Sequence, residues 1–386
     1  MRKLTMLAPL AVAALALSAC SSAAGAAGTT SSSAGTSGTA AAASATICGT
    51  TVPQIAAAAK KEGAVNLIAL PDTWANYGGI LQQFRQKYGI TATVANPDAS
   101  SADEITAIKT LRGQASQPEL VDVGASFTQQ MIDSGYAQTY KPTVWDEIPD
   151  NLKDPAGHWV AAYYGVMSIG VNTTLVKNPP KTFADLKNPQ YKGQIGLNGD
   201  PREAGAAFAA VMAASLANGG SFDNIMPGIQ YFSDLKKSGN LTLTKVNKAN
   251  LLSGEVPIAL DWTYNFPALK PLMQNAGFDL QVTVPQDGVY GGYYAQSVVT
   301  QSPHPCAAEL FMEHLVGNDG ALGYLKGGAI PARYGALVKA GLVDSATAAN
   351  LPDPATIAKI TFPTQKQLDA AKATLAAQWG PMVADK

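Results

Sequence analysis

The sequence predicts an α/β protein built of two lobes. Short apolar runs alternate with amphipathic stretches from Ile47 onward, and the chain after its low-complexity N-terminus has about 340 residues, enough for two lobes. One apolar run (158–176) is long enough to cross between them. Alternation of strand and helix favours a largely parallel sheet. We therefore expect each lobe to be a mixed, mostly parallel sheet flanked by helices, with a cleft between the lobes.

The first twenty residues are typical of a secretory signal. Arg2 and Lys3 give a positive start, an apolar stretch covers 4–17, and small residues precede Cys20. Leu-Ser-Ala-Cys resembles a bacterial lipobox, so we interpret residues 1–19 as a signal peptide and Cys20 as a lipidation site. An ordinary signal peptide followed by a chance cysteine is the alternative.

The segment 20–46 predicts a flexible tether. After its first cysteine it is almost entirely Ser, Ala, Gly and Thr, and such a composition cannot bury a core. A tether that begins at a lipidated cysteine would hold the folded part at a membrane by its acyl chains alone.

The two remaining cysteines, Cys48 and Cys306, predict a disulfide. Outside the cytoplasm a pair of thiols is usually oxidised. The bond would join the start of the folded part to a distant segment, while two free buried thiols are the alternative. No spacing of Cys and His predicts a zinc site.

Composition argues against nucleic acid as a partner. Without Arg2 and Lys3 of the signal, the chain has 25 basic and 28 acidic residues, a net charge of −3. No run of Lys and Arg is present, so no basic patch is predicted.

The first part of the folded chain reads as three strand–helix pairs. AVNLIAL (64–70), ITATVANP (90–97) and PELVDVG (118–124) are short apolar runs typical of buried strands. Amphipathic stretches that follow them predict helices at 77–89, 101–113 and 127–136. Ser101 with Glu104 three residues later predicts a capping box.

Beyond the apolar run, a second set of elements is predicted. We expect a helix, a turn and a strand in 182–199, helices in 201–220 and 222–239, strands in 256–262 and 278–285, a second crossing in 289–300, and a helical tail from Pro305. If Cys48 binds Cys306, this tail must rejoin the first lobe. The domain prediction is therefore lobe 1 in 47–165, lobe 2 in 166–285, and the second part of lobe 1 in 286–386.

Two stretches resemble a known family. PKTFADLKNPQYKGQIGL (180–197) is similar to the stretch that bacterial extracellular solute-binding proteins carry after their first interlobe crossing. SPHPCAAELFMEHLVGNDGALGYLKGGAIPAR (302–333) is similar to their C-terminal helical signature. The resemblance covers nearly all of the chain after Ile47.

That resemblance implies the type II periplasmic-binding-protein fold and a receptor for an ABC importer. The ligand would be trapped in the cleft without chemical change, and no cofactor is implied. The permease and ATPase subunits would be other chains. Lipid-anchored relatives imply an extracytoplasmic place on the outer face of the cell membrane, held through Cys20, and we expect a monomer.

Catalysis is not predicted. The three histidines, His158, His304 and His314, form no catalytic arrangement, and no nucleophile, phosphate-loop or metalloprotease motif is present. We therefore nominate no catalytic residue and no metal ligand. An extracellular hydrolase is the alternative from another class of protein.

Candidate ligand residues follow the predicted strands, because ligands of open α/β sheets bind beyond the carboxyl ends of strands. They are mostly aromatic or acidic. The candidates are Asp72, Trp74, Tyr77, Ser126, Asp200, Arg202, Glu203, Asp261, Trp262, Tyr264, Tyr290, Tyr293 and Tyr294. Aromatic faces attract cations and buried carboxylates bind ammonium groups, so the pattern suits an amine.

The stretch NGDPREAG (198–205) has two interpretations. Asp200 as N-cap, Pro201 at the first helical position and Glu203 at N3 would form a capping box. Polyamine-binding members of the family carry an Asp-x-Arg-Glu at the matching turn, and this resemblance implies that Asp200 and Glu203 contact amine nitrogens. The spacing of Trp74 and Tyr77 matches an aromatic pair in those proteins.

We therefore hypothesise a small organic cation of polyamine type, held by Asp200, Glu203, Asp261 and aromatic faces. The match is incomplete, because polyamine binders carry an Asp at the last crossing where this chain has Ala295 and Gln296. Ferric iron is the main rival, since Tyr293-Tyr294 resembles the tyrosine pair of iron-binding relatives. Thiamine and aminophosphonates are further alternatives, and a zwitterion would also suit an arginine beside carboxylates.

Overall fold

The structure, a computed structural model, describes residues 48–385 as alternating helices and strands. The predicted signal peptide, the predicted lipidation site Cys20 and the predicted tether lie outside the described residues. The helices are α1 (Val52–Glu62), α2 (Tyr77–Tyr88), α3 (Ser101–Leu111), α4 (Thr128–Asp133), α5 (Gly205–Ala217), α6 (Met226–Ser238), α7 (Lys248–Leu252), α8 (Leu269–Asn275), α9 (Pro305–Val316), α10 (Asn318–Lys326), α11 (Tyr334–Lys339), α12 (Pro354–Ala358) and α13 (Gln365–Trp379). A π-helical turn, Gly380–Ala384, follows α13. In this part of the chain no helix is long and apolar enough to cross a membrane.

Nine strands join in the order β2-β1-β3-β8-β4-β6-β5, with β7 and β9 also pairing with β4. The strands are β1 (Ala64–Ile68), β2 (Thr91–Ala95), β3 (Leu120–Gly124), β4 (Val160–Asn172), β5 (Ile195–Leu197), β6 (Ile258–Trp262), β7 (Leu280–Thr283), β8 (Gly291–Val298) and β9 (Ile330–Pro331). The pairs β1–β2, β1–β3 and β5–β6 are parallel, and β4 and β8 pair antiparallel with their neighbours. The predicted α/β class with mixed sheets and flanking helices is confirmed.

The apolar run 158–176 forms one long strand, β4, that belongs to two groups of strands. Its first half, Val160–Val166, pairs with β8, and its second half, Met167–Val171, pairs with β6. We call β1, β2, β3, β8 and β9 the first strand group, and β5, β6 and β7 the second. Nearly all of β4 is buried, which explains its continuous apolar sequence.

The predicted disulfide between Cys48 and Cys306 is present, with the two Cα atoms 5.2 Å apart. Cys306 lies in the first turn of α9, against which α1 packs. Glu62 at the end of α1 accepts hydrogen bonds from the N–H groups of Cys306 and Ala307. The bond therefore fixes the start of the described chain to a helix 258 residues away in sequence.

Two helix starts differ from their predictions. The N-cap of α3 is Ser100, whose hydroxyl accepts from Asp103 N–H, and Glu104 is buried instead of completing the box. Pro201 does not begin α5, which starts at Gly205 without a side-chain cap. The cause is a tight turn over 200–204: Asp200 accepts on its carbonyl from both Glu203 and Ala204, so the chain turns before the helix starts.

Three helices went unpredicted. They are α1, α7 and α8. Two of these are only five and seven residues long, too short for a helical period to stand out.

Candidate functional site

A cavity of about 80 Å³ lies where strands of both groups end. Its walls come from the chain that follows β1 and β2, from Asp122 of β3, from Asn198 after β5, and from Asp261 of β6. Such a position beyond the carboxyl ends of strands is where ligands bind in open α/β sheets. The volume is well below the roughly 300–1,000 Å³ of drug-sized ligand pockets, so the cavity suits a small ligand.

Asp122 is a buried carboxylate in the cavity wall. Its Oδ2 accepts hydrogen bonds from the hydroxyls of Tyr77 (3.0 Å) and Tyr163 (2.8 Å), and its Oδ1 accepts from Gln296. Burial raises the pKa of Asp122 to about 7, although these donors act in the opposite direction. All three hydrogen bonds that the carboxylate of Asp122 accepts therefore come from side chains.

Asp261 is the second buried carboxylate of the wall. It accepts from Asn198 Nδ2 (2.9 Å), Asn265 Nδ2 (2.8 Å) and the Trp262 N–H (2.8 Å). Burial raises the pKa of Asp261 to about 6. Asn265 also lines the cavity, is only 4 % exposed, and its Oδ1 has no hydrogen-bond partner among the described residues. An unpaired buried acceptor beside a cavity can take a donor from a ligand.

The N-terminus of α5 faces the same cavity. Ala204, Gly205 and Ala206 are in its wall. In the described part of the chain, no acceptor meets the N–H groups of Gly205, Ala206 and Ala207. Unpaired N–H groups and the helix dipole favour an anion at such an end. The N-terminal residue of α3, Ser101, lines the cavity as well.

Two lysines stand at the edge of the cavity. Lys245 Nζ donates to the carbonyl of Asp98 (2.5 Å), and Lys248 Nζ pairs with the carboxylate of Asp72 (3.3 Å). Both lysines belong to the segment before and at the start of α7, and both reach across to residues that follow strands of the first group. They supply positive charge beside the α5 N-terminus.

Most of the candidate aromatic residues pack in the protein core, and only two of them line the cavity. Trp74 and Tyr294 line the cavity, with ring centroids 5.2 Å apart. Tyr264 packs against Trp74 behind them, at 5.7 Å. The other four aromatic candidates, Tyr77, Trp262, Tyr290 and Tyr293, are buried and lie outside the cavity wall. Ser126 is also buried and outside it.

The charged middle of NGDPREAG does not line the cavity. Asp200 accepts from Arg202 Nε (3.0 Å) and Nη2 (2.6 Å), and Glu203 is exposed. The two ends of the stretch, Asn198 and Gly205, are the residues that line the cavity. Contact of Asp200, Arg202 and Glu203 with a ligand therefore stays a prediction without support from the cavity geometry.

The adjacent tyrosines of β8 point in opposite directions. Tyr294 lines the cavity, whereas Tyr293 stacks on Trp159 at 5.5 Å on the other face of the strand. The pair cannot bind one iron ion in this arrangement. Among residues 48–385, no group of three or more His, Cys, Asp or Glu side chains is placed to hold a metal ion.

Sequence reasoning missed several wall residues. Lys245 and Lys248 follow no predicted strand, and Asn265 lies four residues beyond Asp261. Glu104 was assigned to a cap, but it is buried, lines the cavity and accepts from the Asp122 N–H (3.0 Å). Burial raises its pKa well above the usual range. An acidic residue on the apolar face of α3 was the signal that could have shown this role.

Comparison with known proteins gives the family. Residues 116–361 match the model of a family described as bacterial extracellular solute-binding protein. A protein of Haemophilus influenzae described as uncharacterized is 27 % identical over 252 residues, which are 61 % of this chain and 68 % of that protein.

Solved structures share the fold at low sequence identity. The periplasmic binding protein AfuA of Actinobacillus pleuropneumoniae, with fructose-6-phosphate bound, is 19 % identical with a TM-score of 0.66, covering 83 % of this chain and 99 % of that one. Iron-bound HitA of Pseudomonas aeruginosa is 18 % identical with a TM-score of 0.61 (82 % and 98 %). A putative spermidine/putrescine ABC transporter protein of Listeria monocytogenes is 14 % identical with a TM-score of 0.60 (82 % and 98 %). The fold is thus that of periplasmic binding proteins.

Proposed function

This chain belongs to the family of bacterial extracellular solute-binding proteins, and we propose that its ligand is a small organic phosphate or phosphonate that also carries amine or hydroxyl groups. Members of this family bind solutes and are not enzymes. One observation carries the proposal: a single small cavity combines an uncapped helix N-terminus and two lysines with buried hydrogen-bond acceptors.

The anionic end of the ligand would lie at α5. Gly205 and Ala206 offer N–H groups there, and Lys245 and Lys248 add positive charge nearby. Charge-assisted hydrogen bonds of this kind are about twice as strong as neutral ones. Burial raises the pKa of Asp122 to about 7, so the negative charge of this carboxyl in the wall is reduced near neutral pH. The wall therefore repels an anion less than its composition suggests.

The other end of the ligand would donate hydrogen bonds. Asp261 and the unpaired Oδ1 of Asn265 are acceptors in the wall, and Asp122 is a third. Either an amine or a hydroxyl can donate to these groups, which is why both stay within the proposal. The AfuA structure with its bound sugar phosphate is a precedent for this fold, not for this chain.

We further infer that the two strand groups act as lobes, with crossings near 165/166 and 285/286, and that the C-terminal turn Gly380–Ala384 returns to the second lobe, where Met382 accepts from Ser233 of α6. Hinge closure around a ligand is a common motion of periplasmic binding proteins. The receptor would serve an ABC importer whose permease and ATPase are other chains, and its attachment through a lipidated Cys20 is part of the same proposal.

A polyamine is the second candidate. Trp74 lines the cavity with Asp122 and Asp261, and an aromatic face with two carboxylates suits a cation. However, Asp200 and Glu203, which this hypothesis needs as amine contacts, do not line the cavity. It also gives no role to the α5 N–H groups or to the two lysines. For those reasons we rank it below the organic phosphate.

A thermal-shift screen tests the proposal. The probes are 2-aminoethylphosphonate, inorganic phosphate, thiamine, putrescine and ferric citrate. A ligand that binds only the native state adds about 2.7 kcal/mol of stability at a hundredfold excess over its Kd. We expect 2-aminoethylphosphonate to raise the melting temperature more than phosphate does, and putrescine to have no effect. A shift with putrescine and none with the phosphonate would reject the proposal in favour of a polyamine.

Matched variants assign the two ends. Lys245→Met should weaken binding of both the phosphonate and phosphate, whereas Asp261→Asn should weaken the aminophosphonate more than phosphate. Lys60→Met changes an exposed lysine of α1 and serves as the control. Equal losses in both variants for both probes would contradict the proposed orientation.

A further inference from the structure

The charged middle of NGDPREAG is left without a role by the proposed function, and its contacts lead to the C-terminus. Asp200 Oδ1 accepts from the backbone N–H of Arg202 (2.8 Å), and the two carboxylate oxygens also accept from Nε and Nη2 of the guanidinium. The side chain of Arg202 is thereby fixed in direction. It extends away from the cavity, although Gly205 at the cavity wall is only three residues further along the chain.

The guanidinium reaches the π-helical turn that ends the described chain. Arg202 Nη1 lies 3.4 Å from the position that a Cβ on Gly380 would occupy, and Asp385 Oδ2 lies 2.9 Å from the same position. The hydrogen bonds that Arg202 donates to Asp200, and then the charges of Asp200, Asp385 and Glu203, raise the pKa of Arg202. The guanidinium is thus bonded to Asp200 of its own loop, and Asp385 of the C-terminal turn acts on it through its charge.

The C-terminal turn is itself firmly held. The Trp379 ring packs on Phe232 of α6 at 5.8 Å, and Ser233 Oγ donates to the carbonyl of Met382 (2.9 Å). Trp379 and Val383 are buried. The loop 200–204 therefore contacts a part of the C-terminal turn that is packed on α6, and not a free chain end.

The other end of α13 contacts the chain that follows β3. Thr128 Oγ1 donates to Gln365 Oε1 (2.9 Å), and Lys372 Nζ lies 3.6 Å from the ring centroid of Phe127. Gly124, the last residue of β3, in turn meets Gly205. The C-terminal segment 365–385 consequently links the two sides of the cavity from behind.

We propose that Arg202 is a positioning residue: it docks the loop before α5 on the C-terminal turn and so sets the direction of the Gly205 and Ala206 N–H groups in the cavity. Arg202 itself does not line the cavity. It acts on the α5 N-terminus through the turn formed by residues 200–204. The inference rests on the proposed function for its effect on affinity, but the docking itself is independent of what the ligand is.

The experiment compares full-length wild type with Arg202→Ala, Arg202→Lys and a chain that ends after Trp379. Arg112→Ala is the matched control, because Arg112 is an exposed arginine that bonds Gln301. Hydrogen–deuterium exchange of peptides covering 198–210 and titration with 2-aminoethylphosphonate are measured well below the melting temperature. In metal sites, loss of a residue that supports a ligand typically costs roughly 10–100-fold in affinity, and we take the lower end of that range as the expected effect here.

We expect faster exchange in 198–210 and about tenfold weaker binding for Arg202→Ala and for the truncated chain. Arg202→Lys should show smaller changes in exchange and in affinity than Arg202→Ala, since lysine keeps the positive charge but cannot donate the two parallel hydrogen bonds that Asp200 accepts. A lower melting temperature with unchanged exchange in 198–210 and unchanged affinity would overturn the proposal and leave Arg202 a stabilising residue only. If the wild type fails to bind the phosphonate, the proposed function is wrong, and the exchange measurement still decides whether Arg202 docks the loop.

Discussion

Gly205, the first residue of α5, packs directly on Gly124, the last residue of β3. A Cβ on Gly205 would lie 2.9 Å from the Cα of Gly124, and a Cβ on Gly124 would lie 2.8 Å from the Cα of Gly205. Both distances are too short for real carbon atoms, and both involve backbone, which cannot rotate aside. Only glycine at both positions allows the start of α5 to come this close to the end of β3 beside the cavity.

We expect Gly205→Ala to weaken ligand binding. Overpacking typically costs about 1–3 kcal/mol, and 1.4 kcal/mol is a tenfold change in Kd. If the contact forms only when the lobes close, the melting temperature without ligand should change little. The measurement is calorimetric titration with 2-aminoethylphosphonate beside a thermal melt.

Gly335→Ala is the control for that substitution, because a Cβ at Gly335 of α11 would meet no atom within 4 Å. A large fall in the melting temperature of Gly205→Ala, with affinity unchanged, would mean that the two glycines touch permanently. The contact would then belong to the folded core and not to closure.

Asp72→Asn separates the two ligand classes by the sign of its effect. Asp72 pairs with Lys248 at 3.3 Å, and both side chains are largely exposed, so the pair stabilises the fold by no more than about 1 kcal/mol. Without the carboxylate, Lys248 is free for an anionic ligand, and binding of 2-aminoethylphosphonate should tighten severalfold. Weaker phosphonate binding in Asp72→Asn would contradict a role for Lys248 in holding the anion. A polyamine receptor would lose affinity for putrescine instead.

The sequence predicted the elements of this fold better than the cavity they form. Apolar runs identified β1, β3 and the crossing strand β4, because their residues are largely buried. They also identified β2, although only Ala92 of that strand is buried. The rule that ligands lie beyond strand ends found Trp74, Asp261 and Tyr294. It could not find Lys245 or Lys248, because no strand was predicted directly before the segment that carries them.

Side-chain direction accounts for the remaining differences. Asp200 fits a helix cap and fits an amine contact equally well in sequence, yet in the structure it bonds its near neighbour Arg202. A carboxylate two residues from an arginine has a local partner that neither interpretation considered. Tyr293 and Tyr294 form a pair in sequence, but neighbours on a strand face opposite sides, so only one of them reaches the cavity.

Replacing both Cys48 and Cys306 with serine should destabilise the protein. The bond closes a loop with a sequence separation of 258 residues, and loss of a native disulfide typically costs about 2–5 kcal/mol. A reducing agent should lower the melting temperature of the wild type and have no effect on the double variant. Equal melting temperatures for the wild type in oxidising and reducing buffer would contradict the prediction.

Stability should fall as pH rises toward neutrality, and Asp122 should carry part of that fall. Burial raises the pKa of Asp122 from 3.8 to about 7. The folded state therefore binds this proton more tightly than the unfolded chain does. The corresponding stability is fully present below the unfolded pKa and is lost as pH rises through the folded one, that is, between about pH 4 and about pH 7. Asp261, with a pKa raised to about 6, adds to the fall over a narrower window.

Asp122→Asn tests this, because the variant keeps an uncharged side chain of similar size at all pH values. Melting temperatures of both proteins are compared from about pH 4 to about pH 8. The melting temperature of the wild type should fall relative to that of the variant as pH rises, because only the wild type loses the Asp122 proton. Burial lowers the pKa of His314 to about 4, which acts in the opposite direction, but His314 is common to both proteins and cancels in the difference. Parallel curves over the whole range would mean that Asp122 titrates at its ordinary pKa, as it would if water reached it through the cavity.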